Sequence, residues 1–141
     1  YYNFLRLGRS GYREIMINLR ETARFLAAAI QDTGHFELVS DDSGLPLVCF
    51  RIKTEREYSA FDVSDHLRAR GWIVPAYTLA PNAEHITVLR VVVREGLSRD
   101  MAELLVDDIH RTVDHLDSVF ADAKSPTPHK SRERRKTRAA C

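Results

Sequence analysis

The chain has 141 residues, 44% of them hydrophobic and 29% charged, with a formal net charge of +1. That length suits one domain with a real core, the composition is ordinary for a soluble globular chain, and no apolar run approaches the roughly 18–20 residues of a membrane span. Cys49 and Cys141 are far apart and show no metal-ligand spacing, so a reduced, intracellular setting is expected.

Charge is unevenly spread. Residues 122–141 hold Lys124, Lys130, Arg132, Arg134, Arg135, Lys136 and Arg138 against Asp122 and Glu133. Residues 1–121 therefore read as a mildly acidic domain and 122–141 as a basic tail. The sequence opens at Tyr1, inside a predicted helix, and reads as the tail end of something longer.

Residues 1–33 are predicted as that helix, a connecting one. Phe4, Leu5, Tyr12, Ile15, Met16, Leu19, Ala23, Leu26 and Ile30 recur at three- and four-residue spacing. Gly8 and Gly11 weaken its early part by about 1 kcal/mol each relative to alanine. Gly34 suits the position just past a helix end. Much of the apolar stripe is expected to find no partner in this chain and to leave exposed patches.

Residues 35–40 alternate and read as a short strand, 41–44 as a turn, and 45–52 as a second strand with Pro46 tolerable near its start. The two form an antiparallel pair. Ser59-Ala60-Phe61-Asp62 starts a helix with an acid in its first turn, which continues to Arg70 and is closed by Gly71. Residues 72–78 are extended, and Pro75 makes them an edge or bulged strand. A loop over 79–84 leads to the β-branched run 86–93, closed by Gly96. Apolar residues of both parities there predict an inner strand covered on both faces. Asp100 and Glu103 suggest a capping box for a last helix running to about Phe120, with Met101, Leu104, Leu105, Ile109, Val113, Leu116 and Phe120 on its stripe. Beyond Ala121 apolar residues stop, and the Ser125-Pro126-Thr127-Pro128 and basic segment is expected to be disordered. The order α-β-β-α-β-β-α predicts an α/β two-layer sandwich, a small, mostly antiparallel sheet with helices packed on it.

One residue breaks the run at 86–93. Arg90 shares a strand face with Val88 and Val92. A guanidinium among valines is costly unless an anion meets it, so Arg90 pairs either with an acid of the same domain or with a ligand. Arg94 lies on the same face near the strand end and is expected to be structural. His35, His66, His85, His110 and His115 are scattered, the last two off the spacing of a helical metal pair, and read as surface or packing residues. Cys49 reads as a buried small hydrophobe. Trp72 and Tyr77 read as packing residues, Tyr77 also as a possible border of the site.

Three stretches together resemble a known family. They are Tyr1-Tyr2-x-Phe4-Leu5-Arg6-Leu7-Gly8-Arg9-x-Gly11-Tyr12, Leu67-Arg68-x-Arg70-Gly71-Trp72-x-Val74-Pro75-Ala76-Tyr77-Thr78-Leu79, and Leu89-Arg90-Val91-Val92-Val93-Arg94-x-Gly96. They resemble the C-terminal part of glutamate decarboxylases, pyridoxal-phosphate enzymes of the aspartate-aminotransferase-like fold. The likeness extends over about residues 1–120, and Arg70 to Thr78 is its most specific part. It implies a C-terminal small domain of a lyase that converts L-glutamate to 4-aminobutanoate and CO₂. It also implies a cytoplasmic homo-oligomer. In this family the cofactor lysine, the acid that pairs the pyridine nitrogen and most phosphate contacts belong to a large domain, so no catalytic residue and no cofactor-binding residue is expected here. His129-Lys130, in the basic tail, is not expected to form the Schiff base.

Arg90 falls on the family's arginine for the substrate α-carboxylate. A planar guanidinium grips a carboxylate through two parallel hydrogen bonds, which lysine cannot do. Such a grip would fix rotation about the bond to be broken, which must stand perpendicular to the cofactor ring, so its benefit would be orientation. Plant members carry a calmodulin-binding C-terminus, but residues 124–141 lack Trp, Phe, Leu, Ile, Val and Met, and calmodulin is not an expected partner. Nor is nucleic acid, since stacking aromatics are missing from the tail. The bacterial histidine that closes the site from a different C-terminal ending is not transferred to His129. Two readings stand beside this one: a separate α/β module in which Arg90 binds an amino-acid or carboxylate effector, and an interaction protein working through its basic tail.

Overall fold

A computed structural model describes residues 1–40 and 44–124, and carries seven elements. They are α1 (Tyr2–Asp32), β1 (Phe36–Leu38), β2 (Leu47–Ile52), α2 (Ala60–Ala69), β3 (Ala76–Thr78), β4 (Thr87–Val92) and α3 (Arg99–Lys124). All strand pairs are antiparallel, in the spatial order β1-β2-β4-β3. β4 is thus an inner strand and β3, which follows Pro75, an edge, as the sequence predicts. The expected two-layer α/β sandwich is the observed architecture.

Strand alternation sorts the sheet residues. Phe36, Val48, Phe50, Leu89, Val91 and Val93 enter one core with Leu26 and Ile30 of α1, Val63 and Leu67 of α2, and Leu105, Ile109 and Leu116 of α3. Phe36 and Phe50 meet edge to face, their centroids 5.2 Å apart. That geometry suits the ring quadrupoles.

Asp62 fastens the start of α2. Its carboxylate accepts the Ser59 backbone N–H at 2.7 Å and the Ser59 hydroxyl at 2.8 Å. These bonds hold the Asp62 carboxyl below its ordinary pKa. The Ser64 hydroxyl donates to the Val74 carbonyl at 2.5 Å, tying α2 to the segment that leads into β3. The Trp72 indole N–H donates to Asp108 at 2.8 Å, tying that segment to α3.

Helix α3 departs from expectation in two ways. Its cap is Ser98, whose hydroxyl accepts the Met101 N–H at 3.2 Å, rather than Asp100. The helix begins at Arg99, so Asp100 already sits in the first turn, and Glu103 pairs instead with Arg99 at 3.4 Å. The buried stripe is Ala102, Leu105, Ile109, Val113 and Leu116, with Met101 and Leu104 exposed. Leu104 and Leu105 stand about 100° apart on a helix, so only one faces the core. The helix runs on to Lys124, past the end expected near Phe120.

Helix α1 breaks at Gly8, whose φ of 57° and ψ of −169° suit glycine. Of its apolar stripe only Ala23, Leu26 and Ile30 are buried, while Tyr2, Phe4 and Leu5 are exposed. The first half of the helix is therefore held by little of this chain. Residues 125–141, with the predicted disorder and with His129-Lys130, lie outside the described residues.

Candidate functional site

β4 is not covered on both faces. The three helices supply the core on the side of Leu89, Val91 and Val93. On the opposite side Val88 is buried, but Arg90 is exposed and Val92 is 58% exposed. The expectation of a guanidinium buried among valines therefore fails. Only one layer of helices is present, and Val92 meets no second layer among the described residues. Desolvation by this chain cannot be what demands an anion at Arg90.

The surroundings of Arg90 are nonetheless specific. Its Cα partner on β2 is Cys49, and its backbone N–H donates to the Pro75 carbonyl at 3.1 Å on the β3 side. Its guanidinium carbon lies 5.2 Å from the centre of the Tyr77 ring, within cation–π range. Among the described residues no Asp or Glu forms an ion pair with it. Burial pushes the Cys49 thiol up, outweighing the influence of the nearby Tyr77 hydroxyl and of the Arg90 charge, both of which favour thiolate. Cys49 thus stays protonated and offers Arg90 no negative charge. The site is one cation, an aromatic ring at its side and a neutral thiol across the strand. Its charge is positive and open to the outside.

Other candidates lie elsewhere. Arg94 is exposed beside a groove lined by Trp72, Val92, Leu97 and Leu105, and no ion pair among the described residues supports a structural role for it. The histidines are less scattered in space than in sequence. His35 and His110 approach to 5.9 Å between ring centroids, and His66 and His115 to 5.6 Å. Arg56 links the first pair to α3: its Nη2 is 2.8 Å from His35 Nδ1, its Nη1 donates to the Tyr58 hydroxyl at 2.7 Å, and it pairs with Asp117. Burial, then Arg56, lowers the His35 pKa, while burial, then Asp117, pushes Tyr58 up to about 12. No group of three or more His, Cys, Asp or Glu among the described residues is placed to hold a metal. Nor is any helix there long and apolar enough to cross a membrane.

Comparison with known proteins defines the class first. The fold matches a solved glutamate decarboxylase of Lactobacillus brevis with a TM-score of 0.80 and 39% identity, covering 83% of this chain and 27% of that one. A tryptophan decarboxylase of Catharanthus roseus shares the fold, with a TM-score of 0.69 at 19% identity over 80% of this chain and 24% of its own. The architecture is thus that of a small part of pyridoxal-phosphate decarboxylases. Residues 1–53 match the pyridoxal-dependent decarboxylase conserved domain. The chain is also 49% identical over 121 residues to glutamate decarboxylase of Petunia hybrida, covering 86% of this chain. Over these aligned residues it is similar to pyridoxal-dependent decarboxylases. It spans 24% of the length of that Petunia relative.

Proposed function

We propose that this chain serves as the C-terminal small domain, residues 1–121, of a glutamate decarboxylase, in which Arg90 binds the α-carboxylate of L-glutamate. One observation carries the reading: a guanidinium on the open sheet face, held beside Tyr77 and paired with no acid among the described residues. The 49% identity to a glutamate decarboxylase supports the substrate. The uncovered face and the exposed half of α1 leave room for a larger domain and for subunit contacts of a cytoplasmic homo-oligomer.

The residues present fit the carboxylate of a substrate rather than the cofactor itself. Among the described lysines, Lys53 follows the end of β2 and Lys124 ends α3. Pyridoxal phosphate, held mainly by residues outside this chain, would supply an electron sink when bound. Arg90 supplies orientation. Two parallel N–H···O bonds fix the carboxylate plane and with it the rotation of the bond to be broken. A grip equally strong before and during the reaction would lower KM alone, so the gain in kcat comes from alignment. By itself the chain decarboxylates nothing.

The test is a chimera in which residues 1–121 replace the matching segment of the Petunia enzyme. It is expected to release CO₂ from glutamate, and Arg90→Ala to lower kcat/KM by about 2–5 kcal/mol, the range for unpairing a charge-assisted contact. A folded Ala variant with unchanged kcat/KM would refute the role. Calorimetry of the isolated chain with glutamate addresses the effector-module reading: tight binding without cofactor would favour it.

A further inference from the structure

We propose that Tyr77 is the positioning residue for Arg90, its ring orienting the guanidinium so that the N–H fork is set before a carboxylate arrives. This rests on the reading of Arg90 as the carboxylate site.

The backbone brings the two side chains together. β3 pairs with β4 so that Tyr77 faces Val88 and Ala76 faces Leu89, and the next position, Pro75, accepts the Arg90 N–H at 3.1 Å. Tyr77 and Arg90 are therefore diagonal neighbours on one face, a separation that aromatic and long side chains span. The observed 5.2 Å from guanidinium carbon to ring centre is that contact made.

An arginine on an exposed sheet face has many rotamers, and binding must freeze them. Something already present has to hold the fork if binding is to fix a substrate's rotation. A carboxylate neighbour would hold it but would also consume the charge and the donors the substrate needs. An aromatic ring restrains the cation through its quadrupole and leaves the in-plane N–H groups free. Across the strand, the neutral Cys49 thiol brings no charge to compete for the guanidinium. The ring orients without neutralising, which is what separates Tyr77 from an acidic partner.

The test combines nuclear magnetic resonance of the whole 141-residue chain with kinetics of the chimera. In the unaltered chain the Arg90 side-chain protons are expected to be shifted upfield by the Tyr77 ring, and the Arg90 Nε–H vector to be more ordered than that of Arg94. Tyr77→Phe is expected to keep both signatures, and Tyr77→Val, a residue suited to an edge strand, to lose them. In the chimera Tyr77→Val is expected to lower kcat/KM for glutamate by about two- to fivefold, Tyr77→Phe to restore it, and Tyr77→Val to have no further effect once Arg90 is Ala. The absence of a ring-current shift in the unaltered chain overturns the proposal without need of any variant. So does a Tyr77→Val loss that persists undiminished in the Arg90→Ala background. Unchanged kcat/KM in Arg90→Ala alone refutes the carboxylate reading, and is told apart because the ring-current and order signatures of Arg90 in the unaltered chain still stand.

Discussion

The two faces of β4 follow different rules. Leu89, Val91 and Val93 point at three helices and are no more than 9% exposed. One residue out of step, Arg90 and Val92 stand on a face that no helix covers among the described residues. The first face is shaped by packing, where every methylene counts. The second buries Val88 and Cys49 but leaves Arg90 and Val92 open, and keeps a cation, an aromatic ring and a neutral thiol in register. Stability resides on one side of a single strand and the capacity for recognition on the other, so substitutions on the two sides should separate cleanly.

The largest effect is expected on the covered face. Phe50, wholly buried against Phe36, is expected to cost about 3–5 kcal/mol when cut to Ala, through lost transfer energy and the cavity left behind. Urea unfolding of the isolated chain measures it. A loss below 1 kcal/mol would mean that the helices do not pack on the sheet as described.

On the open face the informative change is Cys49→Asp. It sets a carboxylate across the strand from Arg90 and supplies the internal partner that the described residues lack. In the chimera kcat/KM is expected to fall by about 1–2 kcal/mol, the size of coupling between touching groups. Cys49→Ser, polar but uncharged, is the control expected to retain activity. Equal loss in both variants would point to packing rather than charge.

The smallest effect belongs to the rim. Burial, Arg56 and His110 together lower the His35 pKa, against the pull of Asp117 and Asp114. The unfolded chain therefore takes up this proton more readily than the folded one. Stability from this group is full above the ordinary imidazole pKa of about 6.5 and is lost as the pH falls through the depressed folded value. Urea midpoints at pH 7.5 and 5.5 are expected to decrease in that order, with the slope reduced in His35→Gln. A higher midpoint at the lower pH contradicts the assignment.

Much of this was legible in the sequence, for physical reasons. Alternation and turn residues mark the strands, Pro75 marks an edge, and Ser59 with Asp62 marks a helix start. Arg90 stands out because a charge interrupts a β-branched run; a carboxylate-binding role for it is what the family resemblance implies. What alternation does not carry is which face the helices choose: Val88 and Val92 look as apolar as Leu89 and Val91, and from sequence both faces read as covered. Ser98 as the cap of α3 was hidden behind the more conspicuous Asp100 and Glu103. The opposition of Cys49 and the contact of Tyr77 depend on strand register, which neither hairpin nor crossover length reveals in one sequence.

The most direct test compares Arg90→Ala with Arg94→Ala in the glutamate decarboxylase chimera, both residues being exposed on the same stretch of chain. The account predicts that the first lowers kcat/KM for glutamate by about 2–5 kcal/mol and that the second leaves it within about 0.5 kcal/mol, with both variants folded. Equal effects, or a loss confined to Arg94→Ala, would contradict it.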